Sequence, residues 1–183
     1  MNTGRISVRY ARALFELASE SNLAKEVYEH SYAVSKTIDP SSDFYYVLHN
    51  PVISPTEKEK ILGKVLGGKV TPLLSSFISL MVKKRRESYI VNALLVYQKI
   101  YREKVGLVKV VVETPTELGD DTKNSILEFV KNKFNKTPDL EVRLVPDLIG
   151  GFIVEVEGLL VDLSVSGQLA RVKKALVQNQ RVF

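Results

Sequence analysis

The sequence predicts an α+β protein of two units: an N-terminal six-helix bundle over residues 1–105, then a small α/β domain over 106–183 in the order β-α-β-β-β-α. Three observations predict it. Apolar residues recur at helical spacing as far as Gly106, where a β-branched run, Leu107 to Thr114, replaces them. Glycine, proline and capping residues interrupt the helical part at short intervals. The charge is uneven: the first 105 residues hold 16 Lys and Arg against 10 Asp and Glu, the remainder 10 against 11.

Ile6, Tyr10, Ala13, Leu14 and Leu17 mark the first helix, and Ser21 or Asn22 ends it. Leu23, Val27, Val34 and Ile38 carry a second helix as far as Asp39-Pro40. Phe44, Val47 and Leu48 suit a short third helix before Asn50-Pro51. Ser54-Pro55-Thr56-Glu57 is a capping box with proline at the first helical position, so serine and glutamate can satisfy each other's backbone N–H. Ile61, Leu62, Val65 and Leu66 face the core from this fourth helix, which Gly67-Gly68 stops. Thr71-Pro72 starts a fifth helix running to about Arg86; Ser88 caps a sixth that ends at Gly106.

After the first strand, residues from about Glu117 to Asn135 read as a helix with Ile126, Leu127, Val130 and Phe134 on one face. Leu140 to Val145 reads as a second strand. Phe152 to Val156 and Leu159 to Leu163 form a hairpin turning at Glu157-Gly158, and a last helix starts near Ser166.

Very little in the chain carries chemistry. Cysteine is absent, which excludes disulfides and thiolates. His30 and His49 fall in different elements without further ligands, so no metal is expected. Gly67-Gly68-Lys69 lacks the spacing of a phosphate loop, and Gly150-Gly151 precedes a strand rather than a helix, so no nucleotide cofactor is expected. Glycines there suit close backbone approach. Glu155 and Glu157 alternate with apolar residues as a solvated strand face. Asp162, before Ser164, reads as a hydrogen-bonding residue at the strand-to-helix turn, with a catalytic acid as the other reading. Lys83-Lys84-Arg85-Arg86 closes a helix, where cations favour the negative end of the macrodipole. The alternatives are a basic nucleic-acid-binding module or an anionic-lipid contact. No apolar run reaches the roughly 20 residues of a membrane span. Without a signal-like apolar segment at the start, the chain is expected on the cytosolic side.

Apolar surplus is more telling. The first helix has a second stripe, Val8, Ala11, Phe15 and Ala18, beside the one already named. The fifth carries Leu73, Phe77, Leu80 and Lys84 beside Leu74, Ile78, Met81 and Val82. One core needs one broad stripe. Such helices either lie centrally in the bundle or form a groove for an amphipathic partner helix.

Three segments carry a family resemblance. Tyr10 to Ala18 is similar to a Y-A-x-A-L-F-x-x-A opening helix, and Asn50 to Ser54 followed by Lys58 to Leu62 to an N-P-x-[IV]-x…K…[IL]-[IL] segment. Leu148 to Leu169 resembles a G-G-[FI]-x-[IV]…[IV]-D-x-S-[IV]-x-x-x-L signature, with Gly150, Gly151, Asp162 and Ser164 at its fixed positions. Together they resemble the delta subunit of bacterial F-type ATP synthases, the oligomycin-sensitivity-conferring protein of mitochondria, over nearly the whole chain. Thr114-Pro115 and the strongly basic Lys83–Arg86 run depart from that pattern.

The resemblance implies a non-catalytic stator subunit without cofactor, nucleic acid or small-molecule substrate, peripheral at the cytoplasmic face of the bacterial cell membrane. It implies that the first and fifth helices receive the N-terminal helix of an alpha subunit, with Tyr10, Ala13, Leu14, Leu17, Phe77, Leu80 and Met81 as walls and Lys84 at the rim. It implies that the C-terminal domain meets the C-terminal region of the b subunits, for which Leu169, Val172 and Leu176 on the last helix are the candidates.

Overall fold

The structure, a computed structural model, describes residues 3–40, 42–66 and 70–179. It is α+β, with eight α-helices and one four-stranded mixed sheet among the described residues. The chain divides into two compact units, Met1–Lys104 and Val105–Phe183.

The first unit holds α1 (Thr3–Glu20), α2 (Ala24–Thr37), α3 (Asp43–His49), α4 (Pro55–Leu66), α5 (Pro72–Lys83), a 3₁₀ turn (Glu87–Tyr89) and α6 (Ile90–Val105). Its core draws on several helices at once, with Leu14, Val34, Leu74, Ile78, Leu94 and Tyr97 all buried. The Tyr97 hydroxyl donates to the Ala24 carbonyl at 2.9 Å, so the buried ring's polar atom is satisfied. Burial pushes its phenol well above the ordinary range.

The α4 capping box forms as the sequence predicts. Glu57 N–H donates to Ser54 Oγ at 3.2 Å, and Ser54 N–H donates back to the Glu57 carboxylate at 3.1 Å. The Ser54 hydroxyl, which donates to the same carboxylate at 2.9 Å, and then the Ser54 N–H hold the Glu57 carboxyl below its ordinary range. Thr71 Oγ1 caps α5 through Leu74 N–H. The predicted stop at Gly67-Gly68 lies outside the described residues.

The fifth helix ends at Lys83, three residues short of the expected Arg86. Arg85 turns left-handed, at φ 53°. Arg86 N–H then donates to Met81 O and Arg85 N–H to Val82 O, both at 2.9 Å, the two bonds of a Schellman stop. Ser88 consequently sits inside the 3₁₀ turn instead of capping the sixth helix.

In the same corner, Lys58 of α4 reaches Glu87 of the turn, Nζ to carboxylate 2.7 Å, with both side chains buried. A charge pair out of water is held by its mutual attraction, and removing one partner strands the other.

The second unit holds β1 (Leu107–Thr114), α7 (Asp120–Phe134), β2 (Thr137–Leu144), β3 (Ile153–Val156), β4 (Leu159–Asp162) and α8 (Val165–Asn179). The sheet order is β2-β1-β3-β4. β1 pairs parallel with β2, from Leu107 with Thr137 to Thr114 with Leu144, and antiparallel with β3. The β3–β4 hairpin turns at Glu157 (φ 50°) and Gly158 (φ 85°), two left-handed residues as a two-residue type I′ turn requires. β2 begins three residues earlier than the expected Leu140. Pro138 is tolerated because β2 is an edge strand.

α7 packs Ile126 and Val130 on Val108, Val110, Val112, Val154 and Val156, all on one sheet face. The opposite face carries an ion-pair ladder: Lys109 to Glu141 at 3.2 Å and Arg143 to Glu141 at 3.1 Å.

The buried pair gives a prediction. Lys58→Met should lower unfolding stability by about 3–5 kcal/mol by stranding Glu87, whereas Lys58→Met with Glu87→Leu should recover most of the loss. Denaturant titration of both variants checks it.

Candidate functional site

α1 and α5 meet at Tyr10 and Phe77, whose rings touch edge-on, centroids 6.3 Å apart. Arg86, just past α5, donates from Nη1 to Tyr10 Oη at 2.7 Å and holds its guanidinium 5.5 Å from the ring centroid. The α5 N-terminus is fixed from α2, where Thr71 N–H donates to His30 Nδ1 at 3.1 Å.

This geometry sorts the expected groove residues. Leu14 is 1% exposed and Met81 0%, so both lie in the core rather than on the surface. The reason is helical phase: Ser7, Ala11, Leu14 and Ala18 share the inward stripe of α1, and Leu74, Ile78 and Met81 that of α5. Phe77 is also buried, and Tyr10 is half-buried. On the outside stand Ala13, Leu17 (51% exposed), Leu80 (45%) and Lys84. They lie three and seven residues beyond Tyr10 and Phe77, so both stripes run outward from that contact.

A depression of about 520 Å³ lies along α1 beside Val8, Arg9, Arg12, Ala13 and Glu16. Another, of about 390 Å³, lies on α5 beside Ser75, Ser76, Ser79, Leu80 and Lys83. Apolar periodicity does not flag the serines, Arg9 or Arg12; a run of small residues was the available signal.

The basic run is not a free patch. Arg86 is engaged by Tyr10, and Lys83 lies 3.4 Å from the Glu59 carboxylate. Lys84 and Arg85 face solvent.

In the second unit the C-terminal signature is a corner. Asp162 Oδ1 accepts from the Ser164 hydroxyl and from Ser164 N–H. Ser164 Oγ in turn accepts from Gly167 N–H at 3.0 Å, capping α8. These bonds, the hydroxyl's first, hold the Asp162 carboxyl below its ordinary value near 3.8. In this corner it acts as the anion that orders the turn into α8.

Gly151 adopts φ 74°, and a Cβ there would lie 2.5 Å from the Leu163 carbonyl oxygen. Gly167 packs against the Asp162 carboxylate, where a Cβ would collide with it. Val165 N–H donates to Gly150 O and Leu163 N–H to Phe152 O, both at 3.0 Å, tying the glycine pair to the corner.

Leu169, Val172 and Leu176 of α8 are all more than half exposed. Beside α7 an apolar channel of about 410 Å³ opens, edged by Phe129, Phe152, Leu159, Val161 and Leu163. From sequence alone the hairpin residues read only as strands, so the channel goes unseen there.

Asp162 sets a pH dependence. Its folded value is depressed, so its stabilising contribution is full above its ordinary value and is lost as pH falls through the folded one. Asp162→Asn should therefore flatten the acid limb of a stability-against-pH curve and leave its shape above pH 5 unchanged, as read by thermal unfolding across the series.

Residues 6–176 match the family described as ATP synthase delta (OSCP) subunit. The ATP synthase subunit delta of Symbiobacterium thermophilum is 34% identical over 175 residues, covering 96% of this chain and 94% of that protein. That of Carboxydothermus hydrogenoformans is 35% identical over 176 residues, covering 96% and 99%. A chain in the cryo-EM structure of the Toxoplasma gondii mitochondrial ATP synthase hexamer superposes with a TM-score of 0.67 at 21% identity, covering 93% of this chain and 97% of that one, a likeness of fold. No helix among the described residues is long and apolar enough to cross a membrane. With a match spanning nearly its whole length and two bacterial relatives above 30% identity, this chain belongs to the ATP synthase delta (OSCP) subunit family.

Proposed function

We propose that this protein works by docking at both ends of its chain. It is a peripheral-stalk subunit of F-type ATP synthase, a structural component of a membrane-associated complex and not itself an enzyme. A rotary synthase needs its catalytic head held still while the shaft turns, so the task of this protein is adhesion against torque.

In this reading the helices of residues 1–105 form one bundle that faces the head. The N-terminal helix of the alpha subunit lies over the Tyr10–Phe77 floor, between Ala13 and Leu17 of α1 and Leu80 of α5, with Lys84 at the rim. The observation that carries it is the pair of exposed stripes running from one aromatic contact. Small Ala13 admits close approach of the incoming helix. A few packed anchors can supply nanomolar affinity, about −12 kcal/mol. Residues 106–183 face the b subunits, through Leu169, Val172 and Leu176 of α8. Within the complex the protein then lies at the cytoplasmic face of the bacterial cell membrane.

Calorimetric titration of the full chain with a peptide spanning the N-terminal helix of the alpha subunit tests the first face. Leu17→Asp and Leu80→Asp should each weaken binding at least tenfold, with circular dichroism unchanged. An affinity indifferent to both refutes the placement.

For the second face, a peptide from the C-terminal region of the b subunits should lose at least tenfold in affinity on Leu169→Asp, while the alpha peptide binds that variant as before. Equal loss of both peptides would mean a folding defect, and loss of neither would remove α8 from the interface.

A further inference from the structure

A four-stranded sheet spans roughly 14 Å between its outer strands, and a helix with its side chains is about 10 Å across. One helix cannot cover such a face. α7 leaves the β3–β4 half open as the channel edged by Phe129, Leu159, Val161 and Leu163, all of them exposed.

The segment suited to cover it is already attached. α8 begins at Val165, two residues after Leu163, the last apolar residue of the channel. Val165, Leu169, Val172 and Leu176 recur at intervals of four, three and four, one stripe on one face, and all four are exposed. That stripe spans about 16 Å at 1.5 Å per residue; Leu159 to Leu163 spans about 13 Å along the strand.

Two bonds hold α8 in its present roll. Arg171 Nη1 donates to the Asp162 carbonyl at 3.1 Å, and Gln168 Nε2 donates to the Leu163 carbonyl at 3.2 Å. At about 100° per residue, positions 168 and 171 lie roughly a quarter turn around the helix from the apolar stripe. The polar tethers and the stripe cannot face the end of β4 together.

We infer that α8 is a strap with two positions. In the second position it releases the Arg171 and Gln168 tethers, keeps the Ser164 cap, folds back over β4 and lays its apolar stripe into the channel beside α7. The tethered arrangement is the open one, in which α8 and the channel are both available for docking. The inference builds on the reading of this unit as a docking module and adds a competitor for the same surface from within the chain. A partner for this unit therefore displaces the strap, and apolar surface stays covered until one arrives.

The absence of cysteine makes the test clean. In the full chain without partners, Val161→Cys/Val172→Cys should form a disulfide under mild oxidation at least five times faster than Val161→Cys/Lys174→Cys, because Lys174 lies on the opposite side of α8 from the stripe. Adding Gln168→Ala and Arg171→Ala should raise the first rate further. Equal rates for the two pairs overturn the strap. A second measurement needs no engineered thiol: Val172→Asp should raise fluorescence of an apolar-surface dye severalfold by exposing the channel, and no change from the unmodified chain overturns it. No b peptide enters either assay, so failure of the b contact leaves the strap standing, and failure of the strap leaves the b contact standing.

Discussion

In the proposed docking, α1 serves as core on one side and as contact surface on the other, so the two must divide a single circumference. α1 turns Ser7, Ala11, Leu14 and Ala18 inward and Ala13 and Leu17 outward. Its inward residues are mostly small, so neighbouring helices come close without a large side chain at every turn. Tyr10 sits on the dividing line with its ring against Phe77 and its hydroxyl held by Arg86. That contact fixes the roll of α1 relative to α5, and the roll decides which apolar residues remain outside.

The Schellman stop of α5 serves the same end. It places Arg86 where its guanidinium can reach Tyr10, at the expense of a left-handed Arg85. A non-glycine residue in that conformation is unfavourable by roughly 1–2 kcal/mol. The adjoining Lys58–Glu87 pair pins the turn that follows to α4. The corner is thus fixed from two helices, α1 and α4.

Much of this architecture was legible in the sequence wherever the signal was local. The Ser54–Glu57 box, the Glu157-Gly158 turn, the change of period after Gly106 and the Asp162–Ser164 corner each depend on residues within a few positions of one another, and each formed. What escaped depends on distance or phase. Lys58 and Glu87 are 29 residues apart, and nothing in either segment announces the other. On α1 and α5 both stripes are apolar, so periodicity gives the angle between them but not which one faces in. Leu14 and Met81 therefore looked equivalent to Leu17 and Leu80 until the packing separated them. The channel beside α7 escaped because alternating apolar residues in a strand read alike whether a helix covers them or not.

The strand order has a mechanical meaning. β1 and β4 run in the same direction, joined through antiparallel β3, and only Gly106 separates α6 from β1. In the proposed docking at both ends, one pull acts at the beginning of β1 and the opposite pull at the end of β4. The two pulls oppose each other along the strand direction, so the ladders are loaded in shear. Hydrogen bonds in shear share a force and yield together, whereas bonds peeled from one end yield in succession. Under a pull applied in that way the ladders act in parallel.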